Sequence, residues 1–374
     1  MRAALTPSPS RVLVTTDAVG GVWTYSVTLA ETLQANGIDV TLAVLGPKPS
    51  ADQRDAARGL KIICTDAALD WQAEQSASVA EAAAAIAALV GSTRCTLLQL
   101  HSPAYLAFGA FDVPTIAVMH SCVGTWWAAV RGGPPPADLA WRCVLVKSGL
   151  ATADAVLAPT HGFARAVSRF YGVPLPGVVA NALAPPRMMQ AVVPAAPDGP
   201  FAFMAGRLWD EGKDARTLDR AASQIDLPVL AAGATGSEMD AAQAFPHLRL
   251  LGALSAGQMR GMFARQPIFV STAVYEPFGL SVLEAADACC ALVLADIPTF
   301  RELWDGAALF YPARDAEALA SSLESLRRQP ARRMELAHAA KARSASFSAQ
   351  AQAQQMLGLY AALAFARRPA EAAE

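Results

Sequence analysis

Several classes of protein are excluded by what this 374-residue sequence lacks. No stretch concentrates lysine or arginine, and 30 basic residues stand against 32 acidic ones, so a nucleic-acid-binding face is not expected. The opening residues, MRAALTPSPSRVLV, lack the apolar core of a signal peptide. The longest apolar run, AAAAIAALV from Ala82 to Val90, is too short and too rich in alanine to span a bilayer. A soluble, cytoplasmic chain without a transmembrane segment is the expectation. The six cysteines (Cys64, Cys95, Cys122, Cys143, Cys289 and Cys290) form neither a disulfide framework nor a C-x-x-C pattern, which fits a reducing compartment and predicts small apolar core residues. A G-x-G-x-x-G fingerprint is missing, which argues against NAD, and no repeat of solenoid length is present.

Apolar material is abundant: 53% of residues are hydrophobic, enough for two cores, and the length exceeds what one core usually organises. Short β-branched runs (RVLVTT, IDVTLAVL, CTLLQL, TIAVMH, AVLAP) alternate with alanine-rich helical segments at Val22 to Ala35, Ser76 to Val90, Ala137 to Ala151 and Gly162 to Tyr171. This is the rhythm of a parallel sheet covered on both faces. Between Pro174 and Pro200 prolines break the pattern, and the later part reads as an interdomain linker. A second alternation follows (FAFMAG, PVLAAG, HLRLLG, PIFVST, ALVLAD). The expected class is therefore α/β with two tandem Rossmann-like domains, 1–185 and 186–346, separated by a cleft. Ligands of such sheets bind outside the carboxyl ends of the strands.

Three stretches at strand-to-helix junctions carry residues suited to chemistry. In TTDAVGGVWTYSVTLAETL, Gly20 and Gly21 open a helix, either as an ordinary βα turn or as a place where free N–H groups meet an anion. In FMAGRLWDEGKD, Arg207 offers a planar fork and Lys213 a mobile point charge, a pair suited to pyrophosphate; solvated surface cations are the alternative. In VYEPFGLSVLEAA, Pro277 and Gly279 shape a turn after which the amides of Phe278, Gly279, Leu280 and Ser281 are the unpaired donors of a helix start. Glu276 precedes that turn and Glu284 lies within the helix. A carboxylate can accept hydrogen bonds from two neighbouring sugar hydroxyls.

The pattern E-P-F-G-L-x-x-L-E, preceded by G-R-L…K, resembles the signature of the retaining, nucleotide-sugar-dependent glycosyltransferases of family 4 (glycosyl transferases group 1). The resemblance extends through VGGVWTYSVTLAETL, VMHS, VLAPTHGF, VVAN, LGALSAGQMRGMFARQPIFVST and FSAQAQAQQMLGLYAAL, nearly the whole chain. It implies the GT-B architecture: two facing Rossmann-like domains, with the final helix, 347–374, crossing back to the N-terminal one. It further implies that Arg207 and Lys213 bind the donor diphosphate with the amides at Gly20 and Gly21 and at Phe278 to Ser281. Glu284 would then hold the ribose hydroxyls, Glu276 would face the transferred sugar, and His120 would lie beside the reacting carbon. The base would rest against the segments around Gly233 and Leu251 to Leu254. No metal or other cofactor is implied, since fixed cations balance the leaving group, and no Asp-x-Asp occurs as in the metal-dependent architecture. Where the family usually has a glycine after the glutamate helix, this chain reads DACCALVLAD.

His101, which ends a strand in LLQLHSPAY, is a candidate for touching the acceptor. In GTWWAAVRGGPPPADLAWR, Trp126 and Trp127 either form an acceptor wall or lid, since aromatic faces stack on sugar rings, or pack under the following helix. His161, His247 and His338 read as surface or structural residues. The expected function is retaining, metal-independent hexosyl transfer from a nucleoside-diphosphate sugar to a hydroxyl of a saccharide, glycolipid or small metabolite, with peripheral membrane contact if the acceptor is lipid-linked. A nucleotide-sugar epimerase would need acid and base groups that the sequence does not identify. A non-catalytic sugar-nucleotide-binding protein would not need Arg207, Lys213, Glu276 and Glu284 together. Donor base, donor sugar, acceptor and oligomeric state are not written in the sequence.

Overall fold

From Val12 to Thr16 every residue of the first strand, β1 (Arg11–Asp17), is buried, the mark of a strand covered on both faces. The structure, a computed structural model, describes residues 11–109, 111–184, 192–236 and 244–366. The first ten residues, the linker residues 185–191 and the last eight residues, on which some sequence expectations fall, lie outside the described residues. The chain divides into two units: one holds the described residues of Met1–Ala128, Gly133–Pro185 and Ala349–Glu374, the other those of Ala129–Gly132 and Pro186–Ser348.

In the first unit β1 is joined by β2 (Asp39–Leu45), β3 (Lys61–Cys64), β4 (Leu97–Leu100), β5 (Thr115–Val118), β6 (Ala155–Ala158) and β7 (Gly177–Val178). Their order is β3-β2-β1-β4-β5-β6-β7, every pairing parallel. Strand order reverses between β1 and β4. At such a switch point the two following loops run to opposite faces and leave a crevice at the carboxyl ends. The helix Gly21–Ala35 follows β1 and buries Trp23, Tyr25, Val27, Leu29 and Leu33. The helix Ala349–Ala366 returns to this unit: Tyr360 donates to Gln99 Oε1 at 2.6 Å, Gln352 donates to the carbonyl of Ala180 at 2.8 Å, and Met356 is fully buried. The helix Ser76–Thr93 is long and apolar enough to cross a membrane by length and composition alone, and it buries Val79, Ala82, Ala83 and Ile86.

The second unit comprises β8 (Ala202–Ala205), β9 (Val229–Ala232), β10 (Arg249–Leu250), β11 (Ile268–Ser271), β12 (Ala291–Ala295) and β13 (Leu309–Tyr311), in the order β10-β9-β8-β11-β12-β13. All its pairings are parallel. Here the reversal falls between β8 and β11. Two Rossmann-like α/β units in tandem are thus the architecture, as the alternating pattern implied.

Some elements escaped the pattern. Strand β3 is a half-exposed edge of four residues, and the helix Val123–Val130 lies in the tryptophan segment. The expectation that the cysteines are core residues holds for Cys95 and Cys290 only: Cys64 is exposed, Cys122, Cys143 and Cys289 are half-buried, and all six are free thiols. Cys64 ends an edge strand and Cys122 and Cys289 lie in connecting segments, none of them covered on both faces, while Cys143 sits within the helix Ala137–Thr152 with its side chain partly open. Cys289 occupies the place of the missing glycine and adopts a left-handed φ of +63°, so the turn keeps the backbone shape glycine favours, at the cost of strain on a Cβ-bearing residue.

Candidate active site

In the first unit the candidates gather where β1, β4 and β5 end. Asp17 closes β1 and accepts from the Val19 amide at 2.8 Å. Gly20 then caps the helix Gly21–Ala35 with an extended φ of −157°. Nothing lies within 4 Å of where a Cβ at Gly20 would sit, so internal packing does not require glycine there. The helix carries Tyr25 and Ser26 to the two histidines. His101 directly follows β4, its amide held by Thr15 Oγ1 at 3.1 Å; His120 lies just past β5. The ring centroids lie 4.7 Å apart with planes 28° from parallel, and His101 Nδ1 and His120 Nε2 are separated by 2.6 Å. Tyr25 meets both edge-on, at 5.1 and 4.6 Å. Ser26 Oγ lies 3.3 Å from His101 Nε2, so both ring nitrogens of His101 are engaged by protein and neither is left for an acceptor. Burial lowers the pKa of His120 to about 4. Burial, and then the charge of His120, hold His101 well below its usual value. Both imidazoles are therefore neutral near pH 7.

Trp126 and Trp127 are half-buried neighbours on the helix Val123–Val130, rings 6.1 Å apart and tilted by 57°. Gly124 seats this helix, because a Cβ there would come within 2.4 Å of the Phe170 ring. His161, His247 and His338 are exposed.

In the second unit the loops after β8 and β11 are knitted together. Thr272 donates to the carbonyl of Lys213 at 2.7 Å, and the amides of Val274 and Tyr275 reach the carbonyl of Gly212 at 2.9 and 3.2 Å. This brings Lys213 Nζ to 2.5 Å from Glu276 Oε2, with side chains only 20% and 14% exposed. Arg207 is half-exposed and turns elsewhere, to Asp210 at 2.9 Å, with its guanidinium 5.6 Å from the Trp209 ring centre. Asp210 is itself fixed by the Gly212 amide at 2.9 Å. The sequence reading missed Asp210, although its place three residues after Arg207 was a usable signal; it also missed Trp209, Tyr25 and Ser26.

Gly279 caps the helix Leu280–Asp287 at φ +93°, in the left-handed region. A Cβ there would stand 3.1 Å from the Phe300 ring and 3.2 Å from Val282, so conformation and space both call for glycine. Phe278 is buried and packs edge-on against Phe347 at 5.6 Å. Its side chain thus serves the core, and the amides of Leu280 and Ser281 in the first turn carry the partial positive charge of the helix start. Ser281 Oγ lies 3.5 Å from the carbonyl of Ala205, placing this helix start beside the end of β8. Glu284, one turn further in, is half-buried. Burial raises its pKa to about 7, with Arg260 pulling the other way. Gly233, at φ +137°, runs so close to the chain at Gly206 that a Cβ would meet that carbonyl oxygen at 1.7 Å, and its amide donates to Gly252 at 2.8 Å.

The second unit thus offers an anion-compatible helix start, two cations and two carboxylates, and the first a pair of neutral histidines beside a glycine-opened helix. These belong to the class of two-unit α/β enzymes acting on activated, anionic substrates. Residues 19–182 match the model of Glycosyltransferase Family 4 and residues 191–343 that of Glycosyl transferases group 1. The chain belongs to this family of nucleotide-sugar-dependent glycosyltransferases and has its GT-B fold. Among solved structures it is similar to sucrose-phosphate synthase from Thermosynechococcus elongatus, with 18% identity, TM-score 0.79, and coverage of 96% of this chain and 100% of that one. It is also similar to Anabaena HepE in complex with UDP and glucose, at 14% identity and TM-score 0.72 over 94% and 99%, and to TarM, at 9% and 0.70 over 96% and 100%. A comparison with curated protein sequences finds no significant match.

Proposed function

We propose that this glycosyltransferase is a retaining, metal-independent hexosyltransferase of the cytoplasm that takes its sugar from a nucleoside diphosphate. The observation that carries the reading is the Lys213–Glu276 pair beside the start of the helix Leu280–Asp287. It sets positive and negative groups side by side, as cleavage between a sugar and its diphosphate demands. In this reading Lys213, Arg207 and the amides of Gly20, Gly21 and Phe278 to Ser281 receive the diphosphate. Glu284 accepts from the ribose hydroxyls, the base lies at Gly233 and Leu251 to Leu254, and Glu276 and His120 address the transferred sugar. The bond from the anomeric carbon to the diphosphate oxygen breaks with its electron pair leaving on the diphosphate. The acceptor oxygen attacks the same face, and its proton passes to the departing diphosphate.

Trp126 and Trp127 line the acceptor, a hydroxyl of a saccharide, glycolipid or small metabolite; a lipid-linked acceptor would add peripheral membrane contact. UDP and glucose in the HepE structure make UDP-glucose a sensible first probe. The experiment is incubation with UDP-, GDP- and ADP-sugars after treatment with a chelator. Release of nucleoside diphosphate without added divalent ions, and a product whose anomeric configuration matches the donor's by NMR, are the expected results. Activity restored only by divalent ions, or an inverted product, would overturn the reading.

A further inference from the structure

The two half-buried histidines share a hydrogen bond whose direction their surroundings fix. A hydrogen bond of 2.6 Å between His101 Nδ1 and His120 Nε2 holds one proton when both rings are neutral, so one ring donates and the other accepts. Ser26 decides which. Its hydroxyl is 1% exposed, and among the described residues its only side-chain partner is His101 Nε2, at 3.3 Å. If His120 Nε2 carried the proton, His101 would have to be protonated on Nε2 and donate to Ser26, and the hydroxyl hydrogen of Ser26 would be buried without an acceptor. In the opposite arrangement Ser26 donates to His101 Nε2 and His101 Nδ1–H donates to His120 Nε2, and the one hydrogen left over, on His120 Nδ1, sits on an atom that is not among the buried, unpartnered ones. A buried donor left unpaired costs about 1–3 kcal/mol, enough to set the order of the two.

We propose that His101 is a positioning residue that, backed by Ser26, holds neutral His120 with its proton on Nδ1, so that His120 presents a hydrogen-bond donor and not a base. His120 Nδ1 has no partner among the described residues, so this N–H is the group left to offer. Burial keeps both rings uncharged, and Thr15, holding the His101 amide at 3.1 Å, fixes the backbone from which the ring projects. The inference rests on the reading above only for what the N–H meets, a hydroxyl of the transferred sugar. A neutral donor suits that place, because an imidazolium beside a carbon gaining positive character would oppose the reaction.

The test is heteronuclear NMR of ligand-free protein carrying ring-labelled histidine at pH 7.5, with the His120 signals assigned by His120→Gln. His120 Nδ1 is expected to show the shift of a protonated nitrogen, and Nε2 that of a bare one. In His101→Asn the side-chain amide can still donate to His120, and the pattern is expected to persist. In His101→Asp the carboxylate can only accept, and the His120 proton is expected to move to Nε2. Ser26→Ala, at a similar melting temperature, is expected to populate both forms. A proton on His120 Nε2 in the wild type, or identical patterns in the Asn and Asp variants, would overturn the proposal. Its failure is distinguishable from failure of the functional reading: His120→Ala with undiminished donor turnover would remove His120 from the sugar and leave the tautomer result standing.

Discussion

Lys213 Nζ and Glu276 Oε2 form a mostly buried ion pair at 2.5 Å, the closest meeting of a proposed phosphate-binding cation with a proposed sugar-facing carboxylate. A diphosphate entering here would compete with Glu276 for the ammonium. Lys213→Ala is expected to lower kcat/KM for the donor by two orders of magnitude or more, with both kcat and KM affected, because the charge Lys213 balances grows in the transition state. It also leaves Glu276 without its cation, a loss of about 1–3 kcal/mol. Thermal melts should show that loss, and it should shrink in the Lys213→Ala, Glu276→Gln double variant. Wild-type kcat/KM in Lys213→Ala would remove the diphosphate assignment.

Glu284 couples stability to pH. Its folded pKa of about 7 stands above the value near 4.3 of an exposed glutamate. The folded protein therefore holds this proton more tightly than the unfolded chain. The associated stability is fully present below the unfolded value and is lost as pH rises through about 7, up to roughly 4 kcal/mol at one pKa unit per 1.4 kcal/mol. Glu284→Gln should be no less stable than wild type at pH 5 and more stable at pH 8. Melting temperatures of both proteins across that range measure it, and parallel curves would refute it. The same variant should raise donor KM more than it lowers kcat, and an effect confined to kcat would contradict the ribose role.

Gly279→Ala tests the helix start. The left-handed φ of +93° costs a Cβ-bearing residue about 1–2 kcal/mol, and the nearby Phe300 ring must also shift. A melting temperature lowered by several degrees is expected, together with a donor KM raised through displacement of the amides of Leu280 and Ser281. Circular dichroism melts and donor titrations read the two effects separately.

Replacing Trp126 and Trp127 together by leucine should raise acceptor KM about tenfold, in line with aromatic contacts of roughly 0.5–1.5 kcal/mol each, and leave donor KM unchanged. Unchanged acceptor KM would confine the pair to packing beneath their helix.

The architecture was readable because its strands bury both faces. Runs such as those of β1 and β12 are apolar without alternation, and their spacing by amphipathic helices leaves few other folds open. The family signature likewise lies in contiguous residues. What the sequence hid is the pairing across elements. His101 and His120 are 19 positions apart, and their bond exists because β4 and β5 are parallel neighbours, a fact of sheet order and not of either segment. Lys213 and Glu276 are 63 positions apart and meet because β8 adjoins β11. Arg207 shows the opposite case: its partner Asp210 was three residues away and in plain view. The turn at Cys289 was flagged by a missing glycine, and only backbone geometry shows that the glycine-like conformation survived the substitution.

The helix Ala349–Ala366, whose Tyr360 reaches Gln99 in the first unit, also imposes an order on biosynthesis. Unit one lacks a wall of its interior until nearly all of its own polypeptide has been translated, whereas its sibling can consolidate earlier. A released chain truncated shortly before Tyr360 would thus carry a complete rear portion tethered to an unfinished front one, the species that chaperones should capture.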